Sequence, residues 1–364
     1  MRIALVALHY AEYSARLALA LARHHSVLLL LRTDNAQEEL SIALREALAD
    51  NVELVLIEHR MLRQPSVIVA ALRLIKVVRS FNPDVVHFQE YPVDYAAWSA
   101  LRLMALYPSV LTIHDHVYHS GVDSKVPLRS RLYQKFLRSN AKKIIVHGES
   151  IRKTLLSGEQ PSLSVVSIKH GVLGVDYPGI SSVPPDLNKL LFFGRIEAYK
   201  GLSVLLDALD RLDSQAWGAV SLLIAGRGSD LNAQKERIAK KPHIEVDERF
   251  IPVEKIPAVF SQCATTVLPY LDATQSGVAA MAFAFGRPVI ASATGALSEV
   301  VQEGKTGLLV PPADADALAQ AIRRLTTDRA LWHTLADGAK HCASGDLSWT
   351  NIAEQTTSVY EELV

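Results

Sequence analysis

The chain has 364 residues, 49% of them apolar and 21% charged, with 38 Lys and Arg balanced by 38 Asp and Glu and only two cysteines. This composition excludes a disordered chain, a disulfide scaffold and a polycation built for nucleic acid, and the length suits two globular domains of ordinary size. No apolar run approaches the ~18 residues a spanning helix requires. The expectation is therefore a cytoplasmic protein, at most peripheral at the inner face of a membrane.

The opening MRIALVALHYAE reads as a first strand, because its apolar stretch is too short for a secretory signal. RIALVAL (2–8) leads into the amphipathic EYSARLALALARHH and then VLLLL (27–31). VELVLIE (52–58) precedes a helical 66–81, DVVHFQE (84–90) precedes a helix rich in Trp, Leu and Met, and SVLTIHD (109–115) precedes a long basic helix and KIIVHG (143–148). Apolar β-branched runs between helices indicate strands buried on both faces, hence a parallel sheet. VDYPGISSVPPDLNK then breaks the rhythm and reads as a linker. Alternation resumes with LLFFG (190–194), a helix over 200–212, AVSLLIAG (219–226), a helix over 229–240, HIEV (243–246), a helix over 254–262 and ATTVLPY (264–270). PVIAS, a helix from about 296, TGLLV (306–310) and further helices complete the chain. The expected division is 1–174, a linker at 175–188, 189–348, and a last helix at 349–364 that packs back on the first domain. Charge supports two units: residues 1–180 hold 21 Lys/Arg against 16 Asp/Glu, net +5, and the remainder 17 against 22, net −5. In doubly wound sheets ligands bind beyond the carboxyl ends of the strands, so a cleft between the units is the expected site.

Several strand ends carry polar groups. Gly194-Arg195-Ile196-Glu197-Ala198-Tyr199-Lys200-Gly201 follows a strand and opens a helix, where the dipole prefers anions. Arg195 and Lys200 are out of place there unless an anion such as a diphosphate joins them, and a solvated loop is the plain alternative. Gly226-Arg227-Gly228-Ser229 is either part of a phosphate loop or simply a glycine-built turn. Thr274-Gln275-Ser276-Gly277 has small side chains that leave backbone N–H groups open to an anion. In the first half, His114 stands just past a strand, either facing substrate or serving structure. Tyr10 with Glu12, Glu90 with Tyr91, and His147 mark further polar strand ends. No metal-ligand spacing is present, so no metal is expected. The segment 124–143 holds seven Lys/Arg and no acid, which fits a solvated helix face or a peripheral contact with an anionic membrane. Without an aromatic platform, nucleic acid is not the expected partner.

Taken as a set, LLFFGRIEAYKGLSVLLDAL, LLIAGRGS, the long stretch from VLPYLDATQSGV to DADALAQAI, and TIHDH, IIVHGES and IKHGV resemble the retaining GT-B glycosyltransferases of family 4, the glycosyl transferases group 1. The resemblance implies an α/β fold of two Rossmann-like doubly wound parallel-sheet domains facing a cleft, with a nucleotide-sugar donor mainly on the second. It implies that Arg195 and Lys200 neutralise the donor diphosphate and that His114 touches the transferred sugar. Gly194, Gly226, Gln275, Ser276, Gly277, Val278 and Glu299 would line the donor, and Tyr10, Glu12, Glu90 and Tyr91 the acceptor.

Two departures stand out. The family's paired glutamates fall here on Ala273 and Met281, and Met281 cannot accept hydrogen bonds from ribose hydroxyls. Ala11 replaces a glycine of the family's first loop. The expected activity is metal-independent transfer of a sugar from a UDP- or GDP-linked donor, without a cofactor, to a glycan, glycolipid or natural-product hydroxyl. A nucleotide-sugar epimerase of the same fold and a non-catalytic sugar-nucleotide-binding protein are the alternatives.

Overall fold

A computed structural model describes residues 1–58, 66–90, 96–114, 128–157, 164–174, 185–212, 220–272 and 277–364. The chain divides into two compact units. The first gathers the described residues of Met1–His116 and Lys125–Lys169 with Trp349–Val364, and the second is built on His170–Ser348.

The first unit is a seven-stranded parallel sheet of β1 (Arg2–Ala7), β2 (Ser26–Arg32), β3 (Glu53–Ile57), β4 (Val85–Gln89), β5 (Ser109–Ile113), β6 (Lys143–Val146) and β7 (Val165–Ser167). Their order is β3-β2-β1-β4-β5-β6-β7, so the winding reverses between β1 and β4. Ile3, Leu5 and Ala7 share one core with the helices Ala11–Ala22, Ile42–Asn51 and Trp349–Glu361, while Ala4 and Val6, on the opposite face, are buried as well. Burial on both faces explains the unbroken apolar runs in the sequence. The edge strand β3 is only partly buried.

The last helix, Trp349–Glu361, packs on Ala11–Ala22. Tyr360 is fully buried there, with its hydroxyl 2.6 Å from His87 Nδ1, and His87 Nε2 lies 2.7 Å from Thr112 Oγ1. Burial pushes the His87 pKa down to about 3, so the ring is neutral, and its single donor and single acceptor are matched by two hydroxyls that can play either part.

The second unit is a six-stranded parallel sheet of β8 (Asp186–Phe193), β9 (Ser221–Ala225), β10 (Ile244–Asp247), β11 (Cys263–Leu268), β12 (Val289–Ser292) and β13 (Gly307–Val310), in the order β10-β9-β8-β11-β12-β13. The winding reverses between β8 and β11. β8 begins at Asp186, inside the stretch expected as linker, because Asp186 pairs with Cys263 across a register shift in β11.

Candidate functional site

At the reversal point of the second unit, two turns and a strand end are locked together through backbone. Gly194, in the left-handed region at φ 102°, ends β8 and donates its N–H to Ala225 O at 2.9 Å. A Cβ at Gly226 would stand 1.9 Å from Gly194 O, and one at Gly228 2.0 Å from Ile196 O. These glycines thus let the β8 and β9 turns touch backbone to backbone, which is sufficient reason for their presence. Gly201, at φ 70°, lies against β11, where a Cβ would meet Pro269 O at 2.0 Å, and Leu271 N–H donates to Tyr199 O at 2.7 Å. Ser229 Oγ donates to Glu197 at 2.6 Å and closes the same turn from the β9 side. The loop 194–201 is held rigidly on both flanks.

Within this frame lies Lys200, only 6% exposed. The sequence placed it in the first turn of a helix. It instead ends a 3₁₀ turn, Ala198–Lys200, because the left-handed Gly201 separates that turn from the helix Leu202–Arg211. Its Nζ makes a long contact of 3.4 Å with Phe193 O and sits 5.5 Å from the centre of the Tyr270 ring. It passes directly over Gly194, where a Cβ would be 3.0 Å away. The Lys200 pKa falls to about 8, chiefly through burial and with help from the charge of Arg195, against the opposing pull of Tyr199 and Glu197. Arg195 is exposed and hydrogen-bonds Tyr199, whose ring meets Tyr270 edge-on at 6.1 Å between centroids.

The helix Gly277–Ala284 brings Val278 to the same spot, its Cγ2 lying 3.8 Å from where a Gly194 Cβ would be. Gly277 faces Leu173 and His170. Met281 is buried in this helix with Ala279, Ala280, Ala282 and Phe283, so the position of the family's second glutamate is an apolar packing position here. Glu299 stands half-buried on the short helix Leu297–Val300 that follows β12, the neighbouring strand of the same sheet. Gln275, Ser276 and Ala273 lie outside the described residues. The second unit therefore brings together Gly194, Arg195, Lys200, Gly226 and Val278, with Tyr199 and Tyr270, which the sequence reading had not assigned. An aromatic at a strand end looks like core until the lysine is found beside it.

The first unit gathers its own strand ends. Tyr10 adopts a left-handed backbone at φ 61°, ψ 49°, costly for a tyrosine, and its ring stacks on His114 at 3.8 Å. This left-handed position falls one residue before Ala11, which is fully buried and has its N–H capped by Asn35 Oδ1 at 3.0 Å. His114 Nε2 lies 2.8 Å from Gln89 Oε1, Tyr13 meets the ring edge-on at 4.8 Å, and His147 is 4.9 Å away. The two carboxylates expected toward the acceptor are engaged internally. Glu12 is buried and bonds Arg16 at 2.9 Å, and Glu90 is buried and holds Arg138 through two bonds of 2.7 Å. The i,i+4 spacing of Glu12 and Arg16 was open to a sequence reader, whereas the Glu90 pair, 48 residues apart, was not. Tyr91 lies outside the described residues. Among the described residues, no group of three His, Cys, Asp or Glu is placed to hold a metal ion.

Residues 188–328 match the family model for glycosyl transferases group 1, and residues 11–172 match that for glycosyltransferase family 4. The chain is 30% identical over 312 residues to glycogen synthase of Mycobacterium tuberculosis, covering 83% of this chain and 73% of the relative. It belongs to this glycosyltransferase family. The enzyme is also 32% identical over 293 residues to phosphatidyl-myo-inositol mannosyltransferase of Mycobacterium leprae, covering 76% and 73% of the two chains. The fold of this glycosyltransferase matches sucrose-phosphate synthase from Thermosynechococcus elongatus, with a TM-score of 0.76, 21% identity and coverage of 100% and 99%. It likewise matches Anabaena HepE in complex with UDP and glucose, with a TM-score of 0.72, 17% identity and full coverage of both. Both likenesses establish the GT-B fold.

Proposed function

We propose that this glycosyltransferase moves a sugar from a nucleotide-diphosphate donor to an acceptor hydroxyl with retention of anomeric configuration. The observation that carries the reading is Lys200, a buried ammonium above Gly194 with one long backbone contact and an aromatic face. A cation removed from water is costly unless an anion joins it. A diphosphate set over Gly194 would receive Lys200, Arg195 and the start of the helix Gly277–Ala284, so negative charge building on the leaving group meets preorganised positive charge. That arrangement performs the neutralisation a divalent ion would otherwise supply, hence the metal-independent reading. The acceptor hydroxyl attacks on the leaving-group side, and the diphosphate oxygen takes its proton. His114 is assigned to the transferred sugar, and the Tyr10 face of the first unit to the acceptor. UDP or GDP is the expected nucleotide, and the UDP bound by Anabaena HepE supports the former.

The test is incubation with a panel of UDP-, GDP-, ADP- and TDP-sugars, with and without glycan, glycolipid and small-molecule acceptors, while nucleotide diphosphate release is followed. Acceptor-dependent release supports transfer. Interconversion of donors without release would make the protein an epimerase, and silence without nucleotide-induced thermal stabilisation would leave it non-catalytic.

A further inference from the structure

Three successive helices of the first unit form a row. Ser66–Phe81 packs on Ala96–Met104, which packs on Leu128–Asn140. Together they contain eight Lys/Arg and no Asp or Glu. Arg73, Lys76, Arg79, Arg102, Arg131 and Lys135 are exposed. Arg138 turns inward, to Glu90, and the side chain of Arg129 lies outside the described residues. Among the described residues, six of the thirteen large hydrophobic side chains exposed to solvent lie on these same helices.

The two kinds of residue alternate at one-turn spacing. Val69 (67% exposed) and Leu72 share a face with Arg73 and Lys76, at i, i+3, i+4 and i+7. Trp98 (53%) stands one turn before Arg102. Leu132 (59%) and Phe136 (55%) flank Arg131 and Lys135 as two interleaved i,i+4 pairs. Every one of these positions faces away from the sheet that the helices cover. No helix among the described residues is long and apolar enough to cross a membrane, so any lipid contact made by this row is interfacial.

We propose that this row is a docking surface for an anionic lipid bilayer, lying in the headgroup region with its apolar tips in the acyl boundary and its cations on lipid phosphates. Nucleic acid would satisfy the cations and leave Val69, Leu72, Leu132 and Phe136 in water. A second copy of the chain, paired through the same face, would set six exposed cations against six. An anionic bilayer satisfies both kinds of side chain, because apolar groups gain by leaving water and each cation gains near a negative surface. The edge strand extends the surface: Leu56 is half-exposed beside an open groove of about 650 Å³ shared with Val69, Arg73 and Val77. None of these residues belongs to the loop around Lys200, so the docking surface stands or falls apart from the transfer reading.

Co-sedimentation of the full chain with phosphatidylcholine vesicles and with phosphatidylcholine–phosphatidylglycerol vesicles tests this. Partitioning into the anionic vesicles should exceed that into the neutral ones by about tenfold or more and weaken in high salt. Leu132→Ser/Phe136→Ser and Arg131→Glu/Lys135→Glu should each lower it by about tenfold, with unchanged circular dichroism because all four side chains are exposed. Val69→Ser/Leu72→Ser, on a different helix, serves where either variant fails to fold. Absence of binding, equal binding to neutral vesicles, variants that bind as well as the parent, or retention of nucleic acid instead of vesicles would each overturn the proposal.

Discussion

His87 and Lys200 are two enclosed bases of this glycosyltransferase whose pKa burial lowers strongly, one in each unit. Desolvation drives His87 down to about 3 and Lys200 down to about 8. Their surroundings differ. His87 is gripped at both ring nitrogens, by Tyr360 and Thr112, and so fastens the last helix to the sheet. Lys200 has one long bond to a carbonyl, an aromatic face and a second cation nearby. A shifted pKa therefore does not identify a functional group by itself. His87, whose partners are complete, is architecture, whereas Lys200, with one long backbone contact and an aromatic face, is the group to which the proposed function assigns a ligand.

The largest expected effect belongs to the architectural side. His87→Ala leaves two buried hydroxyls without a partner and should cost about 2–4 kcal/mol of stability, read by denaturant melts, while activity per folded molecule stays near that of the parent. A stable but inactive His87→Ala would erase the distinction. Lys200→Met should do the reverse. Because the folded pKa of Lys200 lies below its unfolded value of 10.5, its stability penalty is complete below about pH 8 and is relieved as pH rises from there. The methionine variant should then gain up to about 3 kcal/mol at pH 7, discounted for imperfect packing. Lys200→Ala should lose about tenfold or more in kcat/KM, roughly 1.4 kcal/mol, and an unchanged value would remove Lys200 from the diphosphate.

The pH dependence sharpens the contrast. Above about pH 8 free Lys200 loses its proton, so nucleotide diphosphate affinity should fall about fivefold between pH 8 and 9 and approach tenfold per unit above that. Lys200→Arg should flatten that slope. Isothermal titration across the range reads both, and a flat parent profile would contradict the role given to the ammonium. The smallest effect is expected from Tyr360→Phe, about 1 kcal/mol, because His87 keeps its Thr112 bond.

Much of this was legible in the sequence where burial is two-sided. The apolar runs of β1 and β2 identify a parallel sheet without help. β7, three residues long, carries too little pattern to be read, and Asp186 joins β8 through pairing with a strand more than 70 residues away. At the site, Arg195 and Lys200 stood out because two cations open a helix-type segment. What the sequence concealed was the break at Gly201, the ring of Tyr270 under the ammonium, and the internal engagement of Glu12 and Glu90. All three depend on contacts between distant segments or on a backbone angle that residue types alone do not specify.

The most direct measurement is thermal stabilisation of the parent and of Lys200→Met by saturating UDP or GDP at pH 7. The parent should start lower and gain clearly on nucleotide addition, whereas the variant should start higher and gain little. An equal gain in both proteins, or a variant that starts lower, would contradict the view that Lys200 is held in the interior to meet a diphosphate.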